Sequence, residues 1–305
     1  MRNFVKIVFY PLVIIRRWYI YNYLPKHNPQ KYVKILYKQW FGKELDFNNP
    51  RDLNEKINWC KFYSDTSMWG KLADKYAVRG YVKEKGLEDI LVKLYGVWDD
   101  VDKIDFESLP DSFILKSNNG SGTNLIVNNK ADLDLEKTRK LLKGWLETPF
   151  GYKLGEPHYL TIKPMIIAEE LLDASKQHIS TSSLIDYKFF CANGEPSYIL
   201  VIPGRSKGMM KVAVYDINWN FFPKKINPTP HHIISDDFPT PPTSLKQMIN
   251  IARILGQGFP QVRVDLYEID GKPYFGEITF TSNGGFMRYF TPEFLLELGD
   301  KVKLE

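Results

Sequence analysis

Val262-Arg263-Val264-Asp265-Leu266-Tyr267-Glu268-Ile269-Asp270-Gly271-Lys272-Pro273-Tyr274-Phe275-Gly276-Glu277-Ile278-Thr279-Phe280 is the stretch on which the reading of this chain turns. Apolar and polar residues alternate on both sides of Asp270-Gly271, the pattern of two β-strands joined by a tight turn. Asp265 and Glu277 are equidistant from Gly271. An odd-numbered loop sets them directly opposite one another, whereas a two-residue loop sets them on opposite faces, because side chains alternate with period two. Facing carboxylates repel unless a cation lies between them, and magnesium carrying nucleotide phosphates is the usual answer. Arg263 and Thr279 each stand two residues from a carboxylate and share its face. Asp265, Glu277 and Thr279 are therefore the candidate metal ligands, and Arg263 is an adjacent cation able to stabilise a transferring phosphoryl group. The competing reading is a surface hairpin with solvated acids.

Upstream of the hairpin, residues 30–85 read as helical, with starts near Asn54-Glu55-Lys56 and Asp74-Lys75 and a stop at Gly86 after Tyr76 to Lys85. Strands are then expected at Ile90 to Tyr95, Ser112 to Lys116, Asn124 to Val127, Met165 to Glu169, Leu184 to Ala192, Ser197 to Ile202 and Val212 to Asp216. Helices are expected at Asp134 to Glu147 and Ser244 to Gln257. Pro223 to Pro242 is the one long candidate loop. Antiparallel hairpins with segregated helices make an α+β fold, not a doubly wound sheet.

Three further stretches carry chemistry. Phe113-Ile-Leu-Lys116-Ser-Asn-Asn-Gly120-Ser121-Gly122 places a lysine at the end of an apolar strand, then a Gly/Ser turn whose N–H groups can close over phosphates. An ordinary Asn-Gly hairpin has the same pattern, and neither the Walker ending nor the dinucleotide fingerprint is present. Met165-Ile-Ile-Ala-Glu169-Glu170-Leu171-Leu172 is an apolar strand running into an acidic segment whose backbone can meet an adenine edge. Asp186 and Lys188 share one face of the next strand, as a ribose-binding acid and a phosphate-binding base would; a surface ion pair would look alike.

The 305 residues suggest about two domains, and 44% hydrophobic with 25% charged residues is globular composition. A net charge of +5, with basic and acidic residues interleaved, does not demand nucleic acid as a partner. Cys60 and Cys191 lack metal-ligand spacing and read as buried thiols of a reducing cytoplasm. Phe4 to Ile15 is apolar apart from Lys6, Tyr10 and Pro11, too short to span a bilayer, and not followed by a small-residue cleavage site. Residues 4–23 form either a helix packed on the body or an interfacial anchor, with Arg2, Lys6, Arg16 and Arg17 at headgroups and Trp18, Tyr19, Tyr21 and Tyr23 at the boundary.

These pieces, in this order, resemble the ATP-grasp superfamily, and closely the TupA-like ATP-grasp family of bacterial polysaccharide and teichuronopeptide biosynthesis. The resemblance is carried by LADKYAVRGYV (72–82), LPDSFILKSNNGSG (109–122), IKPMIIAEELL (162–172), DYKFFCANGEP (186–196) and the hairpin stretch 259–286. It implies two α+β subdomains clasping ATP, behind a helical N-terminal extension. The divisions expected are 1–72 for that extension, 73–175 for a reduced pre-grasp segment with the lid subdomain, and 176–305 for the subdomain bearing the metal hairpin.

The resemblance implies roles residue by residue. Arg79 and Lys116 would contact phosphate, and Ser121 and Gly122 would belong to a loop closing over the β- and γ-phosphates. Glu169, Glu170 and Leu172 would offer backbone atoms to adenine, Asp186 would hold the ribose and Lys188 would assist. Arg263 would stabilise formation of an acyl phosphate, with Asp265 and Glu277 on Mg2+. Thr279 stands where many members have an asparagine ligand. Arg205, Asn283 and Gly284 are candidates for gripping the acceptor.

The activity implied is an ATP-dependent carboxylate–amine ligation joining an amino acid or amino compound to a uronic acid. Its place would be the cytoplasm, with a peripheral contact at the inner membrane face if residues 4–23 serve as anchor. A glycosyltransferase, a sugar kinase and a non-catalytic assembly module are the alternatives; a nucleotide-sugar transferase gives no reason for the Arg-x-Asp and Glu-x-Thr hairpin.

Overall fold

Side-chain caps punctuate the helical first quarter of the chain. The structure, a computed structural model, describes residues 13–304 apart from 182, 204, 207–208 and 237–239. Residues 13–18 are helical and continue through a π-helical turn, Tyr19–Tyr23, into Leu24–His27. Asn28 caps helix α1 (Pro29–Phe41) by accepting the Lys31 N–H, and Gly42, at φ 70°, ends it in the left-handed region that glycine tolerates. Helix α2 (Leu53–Tyr63) starts at a reciprocal capping box between Asp52 and Glu55. Helices α3 (Trp69–Ala73) and α4 (Val78–Glu84) are short. Residues 30–85 are thus helical in four pieces, interrupted at 42–52, 64–68 and 74–77.

Two sheets follow. The first comprises β1 (Leu94–Trp98), β2 (Phe113–Ser117), β3 (Asn124–Val127) and β4 (Ile166–Glu169), in the order β1-β4-β2-β3 and antiparallel throughout. The strand expected from Ile90 begins late because Glu88–Ile90 closes a 3-10 turn; pairing starts at Leu94, opposite Glu169. Helix α5 (Leu135–Glu147) buries Leu142 against Phe113, Leu115 and Ile166.

The second sheet is built from β5 (Asp186–Ala192), β6 (Glu195–Ile202), β7 (Arg205–Ser206), β8 (Met209–Asp216), β10 (Gln261–Ile269) and β11 (Lys272–Thr279), ordered β11-β10-β5-β6-β8-β7. Strand β9 (His232–Ile234) joins β8 in parallel, so the stretch expected as one long loop contributes a strand. Alternation along β5 sends Phe189 and Phe190 to opposite faces. Phe189 packs with Met248, Ile251 and Leu255 of helix α6 (Leu245–Gly256), and Phe190 with Phe294 and Leu298 of helix α7 (Pro292–Lys301). This is the α+β arrangement anticipated, with helices α1 and α2 seated on the segment that follows β11: Phe286 packs with Tyr37, and Asn54 and Asn58 bond the backbone of Met287 and Gly285.

Candidate active site

The turn Asp270-Gly271 is a two-residue loop between the paired residues Ile269 and Lys272, with positive φ at both positions, 51° and 72°. On its own that loop would set Asp265 and Glu277 on opposite faces. A β-bulge at Gly276 cancels the mismatch: Leu266 pairs with Phe275, yet Asp265 pairs with Glu277. A Cβ at Gly276 would stand 2.9 Å from the Asp265 carbonyl oxygen, so the close approach requires glycine.

The cation between the facing acids is Arg263. Its Nε and Nη2 donate to the two Asp265 oxygens at 2.6 and 2.8 Å, and Nη2 also reaches Glu277 and the Thr279 hydroxyl, each at 3.1 Å. Lys188 bonds Asp265 from the neighbouring strand and lies 3.0 Å from Asp186. Burial opposes the charge on Asp265, but Arg263 and Lys188 outweigh it and hold the carboxyl below its ordinary pKa. Burial likewise works against Arg263 and Lys188, and their acidic neighbours hold both above their ordinary values.

Asp265 is 1% exposed and Glu277 is 32% exposed, so Glu277 is the carboxylate open to a ligand. Among the described residues no group of three or more His, Cys, Asp or Glu side chains is arranged to hold a metal. Glu277 and the Thr279 hydroxyl, joined by Asp265 once Arg263 and Lys188 turn from it to phosphate, suit Mg2+ that arrives with phosphate oxygens and water, because that ion keeps much of its own shell.

The first sheet presents a matching cluster. Glu169, on the same face of the sheet as Lys116, is 9% exposed and accepts from Arg79 at 3.0 Å and Lys116 at 2.8 Å. Arg79 also donates to the Val92 carbonyl at 2.7 Å, which divides it between a fixed backbone contact and the cluster. Glu169 therefore has a side-chain role that a backbone-only assignment overlooked. The Glu170 N–H is bonded to the Lys93 carbonyl, and Leu172 is half-buried just beyond the strand.

The glycine loop is pinned at its base and open at its tip. Asn118 exchanges two bonds with Met165 and donates a third to Lys163, while Ser121 and Gly122 are exposed. Lys75, which sequence reasoning used only to mark a helix start, is tied here: its N–H bonds the Asn118 carbonyl and its ammonium the Gly120 carbonyl. Burial pushes the Lys75 pKa down and Glu277 pushes it back up, with Lys116 and Glu169 also in range. It thus senses both clusters. The adjoining Asp74, whose carboxylate takes the N–H groups of Tyr76 and Ala77, was the available signal.

The acceptor candidates divide. Gly284 is buried: a Cβ there would stand 2.6 Å from Leu154, and its carbonyl accepts from Lys61 at 2.6 Å. Asn283 is exposed, with its Nδ2 donating to Phe286. Arg205 lies in β7, paired with Met210, and its side chain is outside the described part of the structure. Sequence reasoning missed the segment 150–161 beside Gly284. Phe150 covers Gly120, and Glu156 accepts from Thr281 at 2.6 Å. Burial raises the Tyr159 pKa, with Glu156 and Glu277 adding to the rise, which sets this phenol within electrostatic reach of the hairpin.

The family model described as TupA-like ATPgrasp matches residues 55–303. Among solved structures, D-alanine–D-alanine ligase from Bacillus anthracis is 14% identical with a TM-score of 0.43, over 83% of this chain and 69% of that one. The same enzyme from Helicobacter pylori is 14% identical with a TM-score of 0.43, over 82% and 69%. The ATP-grasp ligase PsnB with its minimal precursor is 13% identical with a TM-score of 0.42, over 81% and 66%. No curated protein matches the chain.

Proposed function

Because this chain belongs to the TupA-like ATP-grasp family, we propose that it joins an amino acid or amino compound to a uronic acid of a surface polysaccharide, through an acyl phosphate made at the expense of ATP. ATP-dependent carboxylate–amine ligation is what the family supports in general terms. The observation that carries the mechanism is the bulged hairpin, which brings Arg263, Asp265, Glu277 and Thr279 onto one face.

In the first step a carboxylate oxygen attacks the γ-phosphorus and ADP leaves. In the second an amine nitrogen attacks the acyl carbon, phosphate leaves and the nitrogen gives up a proton. Lys116 of the first sheet, Lys75 and Arg79 of the helical segment and Lys188 of the second sheet would lie along the phosphates, lowering the repulsion between an incoming carboxylate and the polyphosphate. Arg263, held rigidly by Asp265, would face the equatorial oxygens of the transferring group. Asp186 would take the ribose. Asp265, Glu277 and Thr279 would hold magnesium, which when bound supplies positive charge to the phosphates.

Ser121 and Gly122 would close over the phosphates and keep water from the acyl phosphate. Asn283 and Arg205 would meet the acceptor, with Gly284 shaping the loop beneath. No protein nucleophile is required, and both thiols are poor ones: burial raises Cys60 to about 11 and raises Cys191 further. We place the reaction in the cytoplasm.

The test is ADP release with uronates against amino acids, followed by mass spectrometry of the product and hydroxylamine trapping of the acyl phosphate. The expected result is ADP only in the presence of a carboxylate, a hydroxamate in the trap, and loss of both in Asp265→Asn/Glu277→Gln. A phosphosugar product would identify a sugar kinase. Full activity in the double variant would sink the ligase reading.

A further inference from the structure

Basic and acidic residues alternate along most of the chain, but not at its beginning. The first 43 residues contain nine Lys or Arg and no Asp or Glu, leaving 32 basic and 36 acidic residues for the remainder. This local excess of positive charge coincides with exposed apolar surface. Every described residue from 13 to 19 is exposed, including Val13 at 53%, Ile14 at 53%, Ile15 at 61% and Trp18 at 57%. Tyr21 and Tyr23 are exposed on the following turns, whereas Ile20 and Leu24 are buried among Tyr32, Val33 and Leu36 of α1. The arm is thus seated at its C-terminal end and bare at the other, with Arg16 and Arg17 exposed on the bare part and Lys26, Lys31 and Lys34 exposed behind it.

Branched aliphatics and a tryptophan standing in water beside arginines are costly for a lone domain, and they suit the boundary between anionic headgroups and acyl chains. Among the described residues no helix is long and apolar enough to cross a membrane. We infer that residues 13–23 dock this protein peripherally on an anionic lipid surface, with Ile14, Ile15 and Trp18 entering the boundary and Arg16 and Arg17 meeting the headgroups. Nucleic acid fits the charge but leaves the aliphatic side chains without a role; a second copy fits the aliphatics but not the charge.

The docked arm would bear on the active site through direct contacts. Lys26 lies over the Tyr152 ring at 5.6 Å, the Tyr32 hydroxyl donates to the Lys153 carbonyl at 3.0 Å, and Val33 fills the space beside Gly155. Those residues belong to the segment whose Phe150 covers the glycine loop and whose Glu156 holds Thr281. An acceptor carried on the same lipid surface would reach the site from this side.

The experiment is co-sedimentation of the full chain with vesicles of phosphatidylcholine alone and of phosphatidylcholine with phosphatidylglycerol, at low and high salt and without nucleotide, so that it stands independently of the ligase reading. The wild type is expected to pellet with the anionic vesicles and to be released by salt. Arg16→Gln/Arg17→Gln should bind about 30-fold more weakly, from two lost surface charges. Ile14→Glu/Ile15→Glu should not bind, while keeping its circular dichroism and unfolding midpoint. Wild-type protein left in the supernatant with both vesicles overturns the inference, as does equal binding by Ile14→Glu/Ile15→Glu. Two other outcomes also overturn it: a dimer in light scattering that this variant dissociates, or tighter association with RNA than with anionic vesicles, unaffected by the variant.

Discussion

Replacing Glu169 by Gln removes one negative charge from between two cations, and the structure sets the size of the effect. The three side chains are 15%, 20% and 9% exposed for Arg79, Lys116 and Glu169, so solvent screens them little. Each charge-assisted hydrogen bond contributes about 1.5–3 kcal/mol, and stripping the shared partner from a buried group leaves the others uncompensated, for a total of about 3–5 kcal/mol. That is a large fraction of the stability of an ordinary domain. Urea unfolding followed by tryptophan fluorescence should show a lower midpoint at unchanged slope. Saturating ATP should then stabilise the variant more than the wild type, because phosphates restore the missing negative charge and ligand binding adds to the unfolding free energy. A loss below about 1 kcal/mol, or an ATP increment no larger than that of the wild type, would refute the idea that Arg79 and Lys116 form a phosphate site neutralised by Glu169.

Three further substitutions probe other parts of the site and the fold. Lys75→Met should weaken ATP binding about tenfold in calorimetry while leaving the unfolding midpoint equal or higher, since burial already disfavours the ammonium; unchanged affinity would remove Lys75 from the phosphate site. Gly276→Val should cost about 1–3 kcal/mol and more than tenfold in turnover, because its Cβ would crowd the Asp265 carbonyl and the Tyr267 ring and oppose the bulge. Wild-type turnover in that variant would show that the facing of Asp265 and Glu277 does not need the bulge. Glu268→Gln tests a staple away from the site, where the carboxylate accepts from Thr243 and Ser244 at the start of α6 and faces His178 at 3.3 Å. Burial acts to raise the Glu268 pKa, but His178 and Ser244 prevail and lower it. Its contribution is therefore complete above the unfolded value of about 4.3 and is lost as pH falls through the lower folded value. The gap in urea midpoint between wild type and variant should be wide at pH 7 and shrink on acidification toward pH 3; a pH-independent gap would contradict the assignment.

What could be read from the sequence was local. The β10–β11 hairpin announced itself through alternation around Asp-Gly, and α5, β3 and α6 fell within a residue or so of their expected limits, because capping, turn chemistry and periodicity act over a few positions. Register was not local. Whether Asp265 faces Glu277 depends on one residue, Gly276, whose bulge exists because its backbone nears the Asp265 carbonyl across the strand pair. Counting from the turn left both arrangements open; the signal that chooses between them is the slip of the apolar phase across Gly276, from Pro273 and Phe275 to Ile278 and Phe280.

The same distinction explains the cations. Lys116 and Glu169 are separated by 53 residues and meet because β4 inserts between β1 and β2, an order that strand prediction does not supply. Lys75 escaped notice because it sits in a turn between two short helices, where a lysine is ordinarily solvated. In each cluster one buried carboxylate gathers cations from different elements: Glu169 holds Arg79 and Lys116, and Asp265 holds Arg263 and Lys188. Like charges brought together by a fold need such a counter-charge at their centre, or the elements carrying them would separate. Acids that the sequence presents as hinge backbone or metal ligand therefore have a prior task in the fold itself. Their substitution should lower stability as well as turnover, and the two losses are separated by measuring unfolding with and without ATP.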